Sequence, residues 1–229
     1  MLYNTKQLYN SKLAALDGEI GHVKDFYFDD ENWVIRYLVA DTGSWLPGRL
    51  VLLSPHAFGK FSESEKTLQI KLHKMQIQDS PSIELHKPVS RQYEIEYYGY
   101  YGWPAYWNGG GMWGLSGYPM PLLKDEVKTY QKYKHRKDKH LRSAQEISGY
   151  NIQSVDGEIG HVSGFMVDDR SWAIRELVVE TGHWYSGKEI LMSPSKVKRI
   201  SYEESKVFVS LTKEDIQQTV EHEISEPVS

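Results

Sequence analysis

Apolar and polar positions along residues 12 to 72 follow the pattern of short β-strands joined by tight turns. Val23 to Phe28 and Trp33 to Ala40 are rich in aromatic and β-branched residues, and the polar Asp29-Asp30-Glu31-Asn32 between them reads as a hairpin connection. After the turn signal Asp41-Thr42-Gly43 comes the apolar run Leu50-Val51-Leu52-Leu53. Ser54-Pro55 then pairs a good helix N-cap with proline at the first helical position, which predicts a short helical turn. Leu68, Ile70 and Leu72 alternate with polar residues as in a half-buried strand. The sum is a small, mainly antiparallel sheet of about five or six strands. Curling closed into a barrel would bury its apolar face and remove its edges.

The same pattern occurs twice. Asp17-Gly18-Glu19-Ile20-Gly21-His22-Val23 reappears unchanged as Asp156-Gly157-Glu158-Ile159-Gly160-His161-Val162, an offset of 139. Without a gap, 22 of the 39 positions from Asp17 to Pro55 are identical to those from Asp156 to Pro194, among them Phe26/Phe165, Trp33/Trp172, Arg36/Arg175 and Trp45/Trp184. An internal duplication explains this. The chain of 229 residues is then expected to hold one domain over 1–80, a linker over 81–142, a second domain over 143–217 and a polar tail over 218–229.

The run D-G-E-I-G-x-V, then a strand, D-D-x-x-W, a strand with I-R-x-L-V, T-G, a G-[RK] strand and L-[LM]-S-P resembles the PRC-barrel family. That family includes the cytoplasmic part of the photosynthetic reaction-centre H subunit and the C-terminal domain of a ribosome-maturation factor. The resemblance implies a mainly β fold of two small antiparallel PRC-type β-barrels. It also implies docking on protein partners through the barrel, with no catalytic set in these motifs. The chain is expected to share neither the membrane helix of the one relative nor the N-terminal domain of the other, so neither relative's specific task is expected of it.

Between the copies the character changes. Tyr97 to Pro121 holds nine aromatics and seven glycines in 25 positions, and no charged residue occurs from Tyr97 to Leu123. Glycine and proline break both periodicities, so this arm is expected to be irregular. Either it wraps onto the barrels, or it offers an adhesive surface to a partner, a membrane interface or nucleic-acid bases. Trp103, Tyr106, Trp107 and Trp113 are its candidate contact residues, with Trp45 and Trp184 weaker ones. Lys124 to Arg142 is a basic, helical linker in expectation, with Lys132, Lys134, Arg136 and Lys137 as candidate contacts for RNA phosphate or anionic lipid. The net charge of −4 conceals +5 over residues 121–142 against −7 over 143–229.

Composition removes many chemistries. With no cysteine, disulfides, thiol nucleophiles, cysteine zinc sites and iron–sulfur ligation are excluded. No nucleophile elbow, H-E-x-x-H, Walker loop or post-strand G-x-G-x-x-G is present. His22 and His161 beside Glu19 and Glu158 make too few ligands for zinc and read as turn residues. Arg36 and Arg175, mid-strand in each copy, are expected to pair with an acid such as Glu19 or Glu158, or to line a pocket. The chain is therefore expected to be a cytoplasmic, non-enzymatic interaction protein with no metal or cofactor. Its partner is expected to be a protein, and homo-oligomers are compatible with the sequence. A ribosome- or RNA-associated assembly factor is the alternative, followed by an accessory protein of a membrane or photosynthetic complex, touching the bilayer peripherally without spanning it.

Overall fold

The computed structural model describes residues 1–47, 49–81, 89, 91–120, 141–182 and 187–218. It is mainly β and divides into two units, residues 1–143 with 168–173, and residues 144–167 with 174–229. The basic residues Lys132, Lys134, Arg136 and Lys137, most of the linker segment containing them, Trp184 and nearly all of the polar tail lie outside the described residues.

The first unit opens with β1 (Leu2–Asn4), α1 (Thr5–Leu8), β2 (Lys12–Ala15), β3 (Gly18–Asp29) and β4 (Val34–Asp41). It continues with β5 (Leu50–Leu53), a single 3-10 turn over Pro55–Ala57, β6 (Phe58–Ser62), β7 (Thr67–Ile70), α2 (Lys74–Gln78), α3 (Arg91–Tyr101) and β8 (Leu141–Ser143). Its strands run in the order β5-β4-β3-β2-β7-β6, with β8 pairing antiparallel onto β3. All pairs are antiparallel except β2 with β7. The path ends at β5 on one side and β6 on the other, and no pairing between these two strands occurs among the described residues. The hairpin expected at Asp29 to Asn32 forms between β3 and β4. Asp29 Oδ1 accepts from the backbone N–H groups of Glu31 and Asn32 and so supplies the turn's missing acceptor.

In the second unit α4 (Ala144–Ile147) precedes β9 (Asn151–Ser154), β10 (Gly157–Asp168), β11 (Ile174–Thr181) and β12 (Glu189–Met192). A 3-10 turn over Pro194–Lys196, β13 (Val197–Ser201) and β14 (Lys206–Val209) complete it. The order β12-β11-β10-β9-β14-β13 is that of the first sheet, and β9 pairs in parallel with β14 as β2 does with β7. Ile152, Ile159, Val162, Phe165, Leu177, Val179 and Val207 are buried in its core, with bulges at Glu158/Gly160 and Val162/Gly164 interrupting the alternation along β10.

The repeated D-G-E-I-G motif has a structural cause in both units. Asp17 Oδ1 accepts the backbone N–H of Lys74 at 2.8 Å, and Asp156 Oδ1 that of Lys213 at 3.0 Å, so each aspartate clasps the segment after the last strand. Gly21 (φ +126°) and Gly160 (φ +146°) sit where a Cβ would run into the carbonyl oxygens of Asp41 and Glu180. Only glycine combines that φ with that approach.

One expectation is overturned. Glycine content predicts an irregular arm from Tyr97, yet α3 runs through Gly99 to Tyr101. A lone helical glycine costs about 1 kcal/mol relative to alanine, and burial of Tyr97 and Tyr98 against Tyr37 of β4 offsets it. That cover also explains why β4 is buried from Val34 to Ala40 on both faces instead of alternating.

Candidate interaction face

Three buried polar groups pin the aromatic arm to the first sheet. Arg36 on β4 donates to Asp29 Oδ2 at 2.9 Å and to the carbonyl of Met112 in the arm at 2.6 Å. Its guanidinium lies over the rings of Tyr106 and Trp113, 3.9 and 4.9 Å from their centroids. Burial opposes the charge on Asp29, but Arg36 and the hydrogen bonds from Asn32 and Arg36 outweigh it and hold the carboxyl below its usual range. Glu94 of α3, buried, accepts from the hydroxyls of Tyr37 and Tyr106 at 2.7 Å each. Burial first and the Glu94 carboxylate second raise the Tyr37 phenol well above its ordinary value, so it remains a donor.

His56, in the turn after β5, is the third anchor. Its Nδ1 lies 3.0 Å from Ser54 Oγ, its ring stacks on Trp103 at 5.3 Å and 16°, and Trp113 meets it edge-on at 5.1 Å. Burial, assisted by Arg36, lowers its pKa from 6.5 to about 3, and Nε2 makes no hydrogen bond among the described residues. Trp113 is 1% exposed and donates its Nε1 proton to the carbonyl of Ser171 at 2.8 Å.

Above this anchored layer lies a partly open aromatic shelf. Trp103 is held between His56 and Tyr101, the latter stacked at 4.3 Å and 11°. Tyr100 packs edge-on against Tyr101 at 4.8 Å and donates its hydroxyl proton to the carbonyl of Gln76 in α2 at 2.9 Å. Next to Gln76, Met75 is 70% exposed, while Tyr100 is 43% exposed. Lys74 at the start of α2 reaches over the ring of Trp45, 4.9 Å from its centroid. Met75, Tyr100, Tyr101 and Trp103, flanked by Lys74 and Trp45, thus form one face of residue types enriched at protein interfaces.

Of the residues singled out from sequence, Trp103 and Trp107 are half-buried, whereas Tyr106 and Trp113 lie in the core, where a partner does not reach them. Trp45 is half-buried. Arg36 pairs with Asp29 rather than with Glu19, because the hairpin returns Asp29 to its side. Arg175 is exposed. Among the described residues no group of three or more histidine, aspartate or glutamate side chains is placed to hold a metal, and no helix is long and apolar enough to cross a membrane.

Known protein families and curated proteins were compared with the chain, and none matched. Its site therefore rests on its own geometry. His56 and Glu94 were not singled out from the sequence, although for His56 and for Tyr37, the partner of Glu94, a signal existed. In the repeat alignment His56 faces Ser195 and Tyr37 faces Glu176, so the first copy differs from the second at positions that grip the arm.

Proposed function

We propose that the protein acts by contact rather than catalysis, as a scaffold of two PRC-type barrels that arose by internal duplication, with the aromatic shelf of the first copy docking a protein partner. The observation that carries this reading is the locking of the shelf. Tyr101 and Trp103 are fixed by stacking and Tyr100 by its hydrogen bond to Gln76, while Met75 and Tyr100 stay open. Association normally costs side-chain ordering at the interface, so aromatic groups already immobilised keep more of their apolar contact as affinity. The partner that fits is a protein with an apolar, uncharged surface opposite Tyr100 and Met75.

A photo-crosslinking amino acid at position 75 of the full chain, expressed in its native cell, tests this. A discrete crosslinked protein that is lost with Tyr100→Ala supports the reading. Crosslinks no different from background, or unaffected by Tyr100→Ala, reject it.

A further inference from the structure

Glu94 sits in the core of the first unit in a way that packing alone does not require. Its side chain is 1% exposed, and a single oxygen, Oε1, accepts both the Tyr37 and the Tyr106 hydroxyl at 2.7 Å. Burying a carboxylate opposes folding, and a glutamine could accept the same two bonds without burying a charge. What the carboxylate adds is basicity, held at the distance from which a general base takes a proton. Other tyrosines of the cluster differ in this respect. Tyr97 donates to the carbonyl of Leu52, Tyr93 to that of Pro81 and Tyr100 to that of Gln76, and a backbone carbonyl is far too weak a base to keep a phenol's proton.

An unbroken series of ring contacts joins this site to solvent. Tyr100, 43% exposed, meets Tyr101 at 4.8 Å, and Tyr101 stacks on the half-buried Trp103 at 4.3 Å. From Trp103 one branch runs through Tyr97 at 5.9 Å to Tyr37 at a further 5.5 Å, centroid to centroid. The other runs through Tyr98 at 6.3 Å to Tyr106 at a further 5.9 Å. Tryptophan and tyrosine give up one electron readily, and the chain has no cysteine to intercept an oxidising equivalent first. Rings this close pass an electron from one to the next in short hops. A ring that has lost an electron is positively charged, which the interior disfavours. At Tyr37 or Tyr106 that charge is cancelled, because the hydroxyl proton moves to Glu94 and leaves a neutral radical beside a neutral acid.

We infer that the first unit is a one-electron donor: a high-valent metal complex meeting Tyr100 or Trp103 withdraws an electron, and the vacancy settles on Tyr37 or Tyr106 with Glu94 as proton acceptor. The phenol O–H bond breaks and an O–H bond forms on Glu94, so tyrosine plus carboxylate becomes tyrosyl radical plus carboxylic acid. The electron lowers the metal by one oxidation state. This goes beyond the docking of a partner, and its test contains no second protein, so either reading can fail alone.

Flash oxidation of the full chain by photogenerated tris(bipyridine)ruthenium(III), followed by transient absorption and by electron paramagnetic resonance of frozen samples, tests it. A tyrosyl radical is expected whose rate of formation does not change with buffer concentration, because its proton acceptor lies inside the fold. An exposed tyrosine instead needs buffer base to take its proton. Tyr37→Phe combined with Tyr106→Phe is expected to lose the buffer-independent radical. Glu94→Gln keeps an acceptor oxygen but not the base, and is expected to lose that radical while its near-ultraviolet circular dichroism stays that of the parent. No tyrosyl radical in the parent, or one that forms faster as buffer is added, overturns the inference. An undiminished buffer-independent radical in either variant also overturns it. The buffer series uses the parent alone, so it decides the matter even where a core variant does not fold.

Discussion

Lowering the pH from 7 to 5 should loosen the first unit through a single side chain. His56 is neutral in the fold because burial and Arg36 lower its pKa to about 3, whereas in the unfolded chain it titrates near 6.5. The stabilisation from keeping it neutral is therefore fully present above pH 6.5, and it is lost as pH falls from there toward 3. At 1.36 kcal/mol per pH unit across that window, the loss is roughly 2 kcal/mol by pH 5 and about 5 kcal/mol when complete. Two kcal/mol is a large share of the usual margin of stability, and with a urea slope of about 1–3 kcal/mol/M it moves the midpoint by about 1 M. The assay is urea unfolding followed by tryptophan fluorescence at pH 7 and pH 5, for the parent and for His56→Gln. Other titrating groups contribute equally to both proteins, so the difference between the two pH dependences isolates position 56. The parent should lose about 2 kcal/mol more than the variant. Equal losses would refute the reasoning, because a histidine that can accept a proton without disrupting its stack on Trp103 is not shielded as the geometry requires.

The two aligned arginines should behave differently: Arg36→Ala leaves the Asp29 carboxylate buried without its cation and should cost about 3–5 kcal/mol in denaturant unfolding, while Arg175→Ala on the surface should stay within about 0.5 kcal/mol. Gly21→Ala forces a methyl group onto the Asp41 carbonyl and should lower the thermal midpoint by several degrees, as should Gly160→Ala against Glu180, both read by calorimetry. Trp113→Ala removes the root of the arm and should cost about 3–5 kcal/mol in chemical denaturation, with limited proteolysis newly cutting between residues 103 and 118.

The sheet was legible from local signals: β3 and β4 are rich in aromatic and β-branched residues about a polar turn, β5 is an apolar run, the next turn has its Pro55, and β7 alternates. Those signals depend on residues adjacent in the chain. The arm resisted such reading for the opposite reason. Tyr97, Tyr98 and Trp113 are buried by partners 40 to 80 residues away, Tyr37, Ser54 and Arg36 among them, so neither period nor glycine content announces their cover. Arg36 shows the same limit. Its pairing with an acid was foreseeable from its place in a strand, but the choice of Asp29 depends on the register of the hairpin.

The clasp between Asp17 and the N–H of Lys74 bears on synthesis. Together with the parallel pairing of Lys12 with Thr67, it ties the start of the first repeat to its end across more than 50 residues. As the chain leaves the ribosome, the β3–β4 hairpin can form early, but β2 has no neighbour on its outer side until β7 has emerged. Arg36 waits longer still, for Met112. Pairings this distant in sequence are slow to close, so the nascent first repeat passes through a stage with an open β2 edge and an uncovered β4. That interval is where a chaperone or a premature contact with another chain would act.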